Sequence, residues 1–338
     1  MKILEIEDIK SVIEKVGYKD FYMMLIKTLE EDYSNWENFD KTPRVANHVK
    51  DGVIELMPIS DKEYYTFKYV NGHPINPDKY NKSTVMATGQ LSKVSTGEPL
   101  LFTEMTLLTA LRTAANSVMA AKYLAKEDSK VLTLIGTGAQ SEFQYLAFSC
   151  IFDLEEVRFF DTDVKAMEKF SKNMEQFDIK ITPCTNTEDA INGADIITTC
   201  TADKKYQTIL TKEMIKKDVY INAIGGDCPG KTEIEKDLVA SSTVVCEFLE
   251  QCKIEGEIQQ FSDDYSCPEL YEIIRGEKNI NVKTHGTVLF DSVGFAIEDY
   301  SVLRLIYKLS QDYNIGKEMN LIPELNDVKN LFSLMESH

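Results

Sequence analysis

The sequence predicts an α/β protein of two units: a doubly wound parallel sheet, and an α+β unit whose sheet is mainly antiparallel. Two patterns and one glycine turn predict it. From residue 131 onward, short continuous apolar runs alternate with helical stretches, as in strands covered on both faces. From residue 52 to residue 105, apolar and polar residues alternate instead, and β-branched and aromatic types are frequent. Between the run "VLTLI" and the helical "QSEFQYLAFSCIF" stands Gly136-Thr137-Gly138-Ala139, a glycine turn at a strand-to-helix junction.

In chain order, residues 6 to 35 read as two helices, the second carrying the apolar stripe of "DFYMMLIKTLEEDYSNW". "GVIELMPIS", "EYYTFKYVNG", "STVMATGQLSKV" and "EPLLFTEM" follow as strands, with "STGE" as a hairpin link between the last two. "TLLTALRTAANSVMAAKYLA" is a long helix, apolar on most sides and therefore buried. The parallel strands are "VLTLIG", "EVRFFD", "DIKITP", "ADIITTC", "DVYINAIGG", "STVVCEF" and "VLFDSVG". A last helix, "AIEDYSVLRLIYKLSQDYNIG", is expected to return to the first unit. The division is expected to give residues 1–115, completed by about 316–338, and residues 116–315.

Composition narrows the function classes. Apolar residues make up 43% of the chain, enough for sizeable cores, and the net charge is −18. That field repels nucleic-acid backbones and anionic membranes, so neither is an expected partner. The start, "MKILEIEDIKSVIEKVG", interrupts its apolar pattern with acids and does not read as a signal peptide. No segment approaches the ~20 apolar residues of a membrane span. Seven cysteines lack any C-x-x-C pair and four histidines are scattered. Reduced thiols, a cytoplasmic location and no metal site are expected.

The glycine turn belongs to a Rossmann-type dinucleotide site. Gly136 permits the tight turn, Gly138 lets a pyrophosphate approach the backbone, and the helix N-terminus offers unpaired N–H groups. Asp161 ends the next strand, placed to accept ribose hydroxyls. A carboxylate there repels a 2′-phosphate, and Thr162 rather than an arginine follows, which favours NAD over NADP.

Charges set against the apolar pattern mark a candidate cleft. Helical spacing puts Leu108, Arg112, Ala115 and Met119 on one stripe. A guanidinium there needs a partner: either a protein carboxylate, or a substrate carboxylate or cofactor phosphate held bidentately. Thr66, Lys68 and Val70 share a strand face opposite Tyr65, Phe67 and Tyr69. The aromatic face is expected in the core, and the lysine face toward solvent by default or toward a cleft. Val53, Glu55 and Met57 share a face that sets a carboxylate between apolar groups. Arg44, in the irregular "KTPRVAN", is by default a surface residue. In "NAIGGDCPGKTE", glycines and a Pro-Gly pair surround Asp227 with little side-chain bulk. Cys228 is assigned to packing and His73 to fixing its loop. Cations for a carboxylate, with acids for an amine, describe an amino acid that carries a second amine.

"GTGAQSEFQ", "EMTLLTALRTAA", "GVIELMP", "FKYVNGHP", "GGDCPGKTE" and "DSVGFAIEDYS" together resemble the ornithine cyclodeaminase/mu-crystallin family over about residues 31 to 301. "GVIELMP", "KYVNGHP" and "GGDCPGKTE" resemble its cyclodeaminase branch. The resemblance implies conversion of L-ornithine to L-proline and ammonia, with NAD bound and recycled. It implies that Arg44, Lys68 and Arg112 hold the substrate α-carboxylate, that Glu55 and Asp227 face the distal amine, and that Val293 lines the site. It implies cofactor contacts from Thr84, Arg112, Ala139, Gln140, Asp161, Thr201, Ile224, Gly225, Gly226, Asp227, Lys231 and Ser292, beside Gly136 and Gly138. Asp227 would be the general acid and base. An alkylammonium of pKa about 10 has no lone pair near neutral pH, and a nearby carboxylate can take its proton and later protonate the departing ammonia. The family further implies that the first unit binds substrate and forms a homodimer. Open alternatives are a lysine cyclodeaminase, a net-redox amino-acid dehydrogenase or ketimine reductase, and a ligand-binding protein without activity.

Overall fold

A computed structural model describes residues 1–201, 207–226 and 228–335. The chain opens with strand β1 (Lys2–Leu4) and helices α1 (Ile6–Val16) and α2 (Tyr18–Ser34). The Glu5 N–H donates to Asp8 Oδ2 at 2.8 Å, closing the N-terminus of α1, and Gly17 with φ +86° separates the two helices. Six strands follow: β2 (Asp40–Lys41), β3 (Val45–Val49), β4 (Gly52–Ser60), β5 (Tyr64–Gly72), β6 (Val85–Lys93) and β7 (Pro99–Glu104). Helix α3 (Thr106–Leu124) leads to β8 (Val131–Ile135), α4 (Ser141–Ile151), β9 (Glu156–Phe160) and α5 (Val164–Met174). Then come β10 (Lys180–Pro183), β11 (Ile196–Thr199), β12 (Tyr220–Ala223), β13 (Thr243–Cys246) and α6 (Leu249–Glu255). The described chain closes with β14 (Val288–Asp291), α7 (Ala296–Asp312) and β15 (Lys317–Glu318), along with shorter helical turns.

The first sheet has the order β15-β1-β7-β6-β5-β4-β2, with β3 also on β4. It is antiparallel except where β1 runs beside β7. The second sheet, β10-β9-β8-β11-β12-β14-β13, is parallel throughout. Its order reverses between β8 and β11, the topological switch point where doubly wound sheets bind ligands. The loops there are the Gly136 turn after β8 and Cys200-Thr201 after β11.

Helix α3 runs unbroken through the division expected at residue 115, packing against α2, α4 and α7. Helix α7 lies across β4, β5 and β6, so this last helix packs on the first sheet. β15 then pairs with β1 at the sheet edge. The apolar core continues from Phe21 and Leu25 of α2 through Leu108 and Met119 of α3 to Leu132 and Phe290 of the parallel sheet.

One face assignment is reversed. Thr66, Lys68 and Val70 point inward, while Tyr65 and Tyr69 are exposed. The amphipathic helix α7 covers the Lys68 side, and a single chain leaves the aromatic side open. On β4, Val53, Glu55 and Met57 are buried, as their pattern predicts. Met57 is paired with Lys68 in register and Glu55 with Val70, so Glu55 and Lys68 share the inner face.

Candidate functional site

Between the inner face of the first sheet and the C-terminal ends of the parallel strands lies a cavity of about 340 Å³. Its wall brings together Arg44, Glu55, Lys68, Thr84, Arg112, Gly138, Ala139, Gln140, Thr201, Ile224, Gly225, Lys231, Ser292 and Val293. These residues are drawn from separate stretches of the sequence and meet in one space. Gly136, Asp161 and Gly226 stand behind or beside the wall. Asp227 lies outside the described residues, though its neighbour Cys228, expected only to pack, is on the wall.

The glycine turn is built for a dinucleotide. Gly136 has φ +102°, and a Cβ there would sit 2.7 Å from the Cys200 carbonyl oxygen. A Cβ built on Gly138 would meet nothing within 4 Å, so that side of its backbone is open to a phosphate. Ser141 Oγ donates to the Gly138 carbonyl at 2.9 Å and fixes the turn on the first residue of α4. Asp161 accepts from Thr137 N at 2.6 Å and from Asp163 N at 2.9 Å, which locks the acid beside the turn. The open glycine, the helix N-terminus behind it and the fixed acid fit the expected NAD.

The cations are buried and paired. Arg44 is no surface residue: its side chain is 7% exposed. Its Nη1 lies 3.2 Å from Glu55 Oε2 and its Nε 3.1 Å from Glu255 Oε2. Its Nη2 donates to the carbonyls of Val293 and Gly294, each at 2.6 Å. Lys68 is not solvated either. Its Nζ meets Asp299 Oδ1 at 2.9 Å, and burial, together with the Arg112 charge, pushes its pKa down to about 8.

Of the partners the sequence leaves open for Arg112, protein carboxylates are the ones observed. Arg112 pairs with Glu298, and its Nε lies 3.0 Å from Asp299 Oδ1, yet it also lines the cavity. Burial alone would lower its pKa, but Glu298, Asp299 and Glu247 hold the guanidinium above its ordinary value. Gly294, with φ +79°, makes room for it: a Cβ there would lie 2.9 Å from Arg112 Nη1.

Four acids behind the wall escape assignment by sequence: Glu247, Glu255, Glu298 and Asp299. Glu247 follows β13 and accepts from Asn116 Nδ2 and the Gly294 N–H, both at 2.8 Å, and from Tyr33, Ser292 and Val293 at 3.2 to 3.3 Å. It thus ties α2, α3 and the 292–294 turn together. Burial and neighbouring Glu298 push its carboxyl well above the ordinary range. Signals for some of them were present. Glu247 ends a buried parallel strand, and "AIEDYS" sets two acids in the first turn of an apolar helix. His73 holds its loop through Nδ1, 2.9 Å from Asn71 Nδ2.

The model of the ornithine cyclodeaminase/mu-crystallin family matches residues 7–313. An ornithine cyclodeaminase of Agrobacterium fabrum (strain C58) is 46% identical over 332 residues, covering 98% of this chain and 94% of its own. A solved lysine cyclodeaminase, studied for its recognition of L-lysine, L-ornithine and L-2,4-diaminobutyric acid, has a TM-score of 0.93. It is 27% identical and covers 99% of both chains. An archaeal alanine dehydrogenase dimer with bound NAD has a TM-score of 0.86 at 31% identity, over 95% of this chain and 99% of its own.

Proposed function

The chain belongs to the ornithine cyclodeaminase/mu-crystallin family, and from that premise we propose that it converts L-ornithine to L-proline and ammonia with a recycled NAD. The observation that carries the proposal is a single cavity joining three buried cations, a dinucleotide turn and Glu55. The Oε1 of Glu55 is buried with no hydrogen-bond partner among the described residues. A site for a monoamine leaves that oxygen unmet; a diamino acid gives it an ammonium to meet.

Arg44, Lys68 and Arg112 hold the α-carboxylate, Glu55 and Asp227 face the distal amine, and Val293 closes one side. Thr84, Arg112, the turn from Gly136 to Gln140, Asp161, Thr201, the stretch from Ile224 to Asp227, Lys231 and Ser292 hold the cofactor. When bound, NAD supplies a reversible hydride acceptor at the substrate α-carbon. Fixed cations on the carboxylate set the substrate's direction in the cavity, a positioning effect worth several kcal/mol. The distal amine must lose a proton to become a nucleophile, and Asp227 takes it and later protonates the departing ammonia.

L-Lysine is the second substrate to test, because the solved lysine cyclodeaminase shares this fold and one methylene is worth only about 1–3 kcal/mol in a pocket. The 46% identity to the Agrobacterium protein favours L-ornithine. We also place the chain in a homodimer formed through the outer face of the first sheet, where Val45, Leu56, Tyr65, Tyr69 and Met86 are exposed. A cytoplasmic location suits its seven free cysteines. The test is incubation with NAD and either L-ornithine or L-lysine. Equimolar proline and ammonia from L-ornithine, at the higher kcat/KM, are expected; no proline, or a preference for L-lysine, overturns the proposal.

A further inference from the structure

We propose that Asp299 is a positioning residue for substrate binding: one of its carboxylate oxygens sets the spacing of Lys68 and Arg112 and keeps both cations turned toward the cavity. Its side chain is 1% exposed, in the first turn of α7. Oδ1 lies 2.9 Å from Lys68 Nζ and 3.0 Å from Arg112 Nε. The two cations come from the middle of β5 and the middle of α3, so no local chain geometry fixes the distance between them. Like charges in a buried wall repel, and a shared anion turns that repulsion into a triad.

The arrangement leaves binding capacity unspent. A lysine ammonium has three N–H donors and a guanidinium five. Glu298 accepts from Arg112 Nη1, Asp299 lies within ion-pair distance of Arg112 Nε, and Asp299 meets Lys68 once. Both side chains line the cavity with donors to spare. The charged groups that act on Lys68 are Arg112 on α3, Asp299 on α7 and Arg44 ahead of β3; Glu298 and Glu247 face Arg112, and Glu55 pairs with Arg44. Among the described residues, Asp299 is the only acid within ion-pair distance of Lys68. Without it, a lysine buried beside a guanidinium gives up its proton and loses its hold on a carboxylate.

The inference rests on the proposed roles of Lys68 and Arg112 at the substrate carboxylate. The test measures kcat and KM for L-ornithine across pH in wild type, D299N, D299E and K68M, with thermal midpoints as the folding control. For D299N, KM rises about 10-fold or more with a smaller change in kcat. Its alkaline rise in KM also begins about 1–3 pH units lower than in wild type. D299E keeps the charge, so it keeps the wild-type onset while raising KM. A D299N enzyme with the wild-type onset, alongside a K68M enzyme with raised and flattened KM, overturns the role of Asp299 alone. A K68M enzyme with wild-type KM overturns the underlying role of Lys68. If D299N does not fold, D299E decides, and a wild-type KM there contradicts the proposal.

Discussion

Glu55 Oε2 lies 3.2 Å from Arg44 Nη1 inside the cavity, while its Oε1 faces no hydrogen-bond partner among the described residues. One oxygen is anchored and the other is available to an ammonium. Glu55→Gln keeps the shape and removes the charge. The expected result is a KM for L-ornithine raised by about 10- to 100-fold, as charge-assisted hydrogen bonds are worth about 1.5–3 kcal/mol. Inhibition by L-norvaline, which has the same carbon chain without the second amine, should not weaken. Equal losses for both compounds would remove Glu55 from the distal amine.

Lys68 gives the site a pH limit. Its pKa is pushed down to about 8 by burial and by Arg112, so it is a cation below that pH and neutral above it. KM for L-ornithine should therefore rise as pH increases through about 8, and Lys68→Met should flatten the rise. The folded pKa lies below the unfolded one, so the unfolded state binds more protons between about 8 and 10.5. This lysine's contribution to stability accordingly grows as pH climbs through that window. Urea titrations of wild type and K68M across it check the sign.

Gly294→Ala tests the space left for Arg112. With φ +79° and a Cβ 2.9 Å from Arg112 Nη1, the substitution strains the backbone and displaces the guanidinium. A loss of about 1–3 kcal/mol of stability is expected, together with a raised KM for L-ornithine. Denaturation and steady-state kinetics read the two effects separately.

Gly138→Val separates binding from folding. Nothing lies within 4 Å of its Cβ position, so stability should hardly change. The added side chain occupies the approach to the backbone, so affinity for NAD should fall at least about 10-fold. Fluorescence titration with NADH measures it. Unchanged affinity would remove the turn from the cofactor site.

What the sequence reveals and what it hides divide on physical grounds. The strands "GVIELMPIS" and "VLTLIG" are legible because alternation and continuous apolarity report one- and two-sided burial directly. β1, β2 and β15, of two or three residues, are too short to show any period. The face of β5 is misjudged because Tyr65 and Tyr69 look like core, and only the distant α7 decides that Lys68 faces inward. The glycine turn and Asp161 are legible since strand, turn, helix and acid lie within one stretch. Arg112 can be recognised as a buried charge, but its partners Glu298 and Asp299 lie more than 180 residues away. Such a pairing is fixed by the packing of α3 against α7, which single-sequence patterns do not contain.

The most direct measurement uses the purified chain, excess L-ornithine and NAD far below the substrate concentration, following proline, ammonia and NADH absorbance together. Proline and ammonia rising equally over many turnovers, with NADH flat, is the expected result for a cofactor that returns its hydride within each cycle. NADH accumulating until the NAD is exhausted would make the protein a net dehydrogenase and contradict the proposed chemistry.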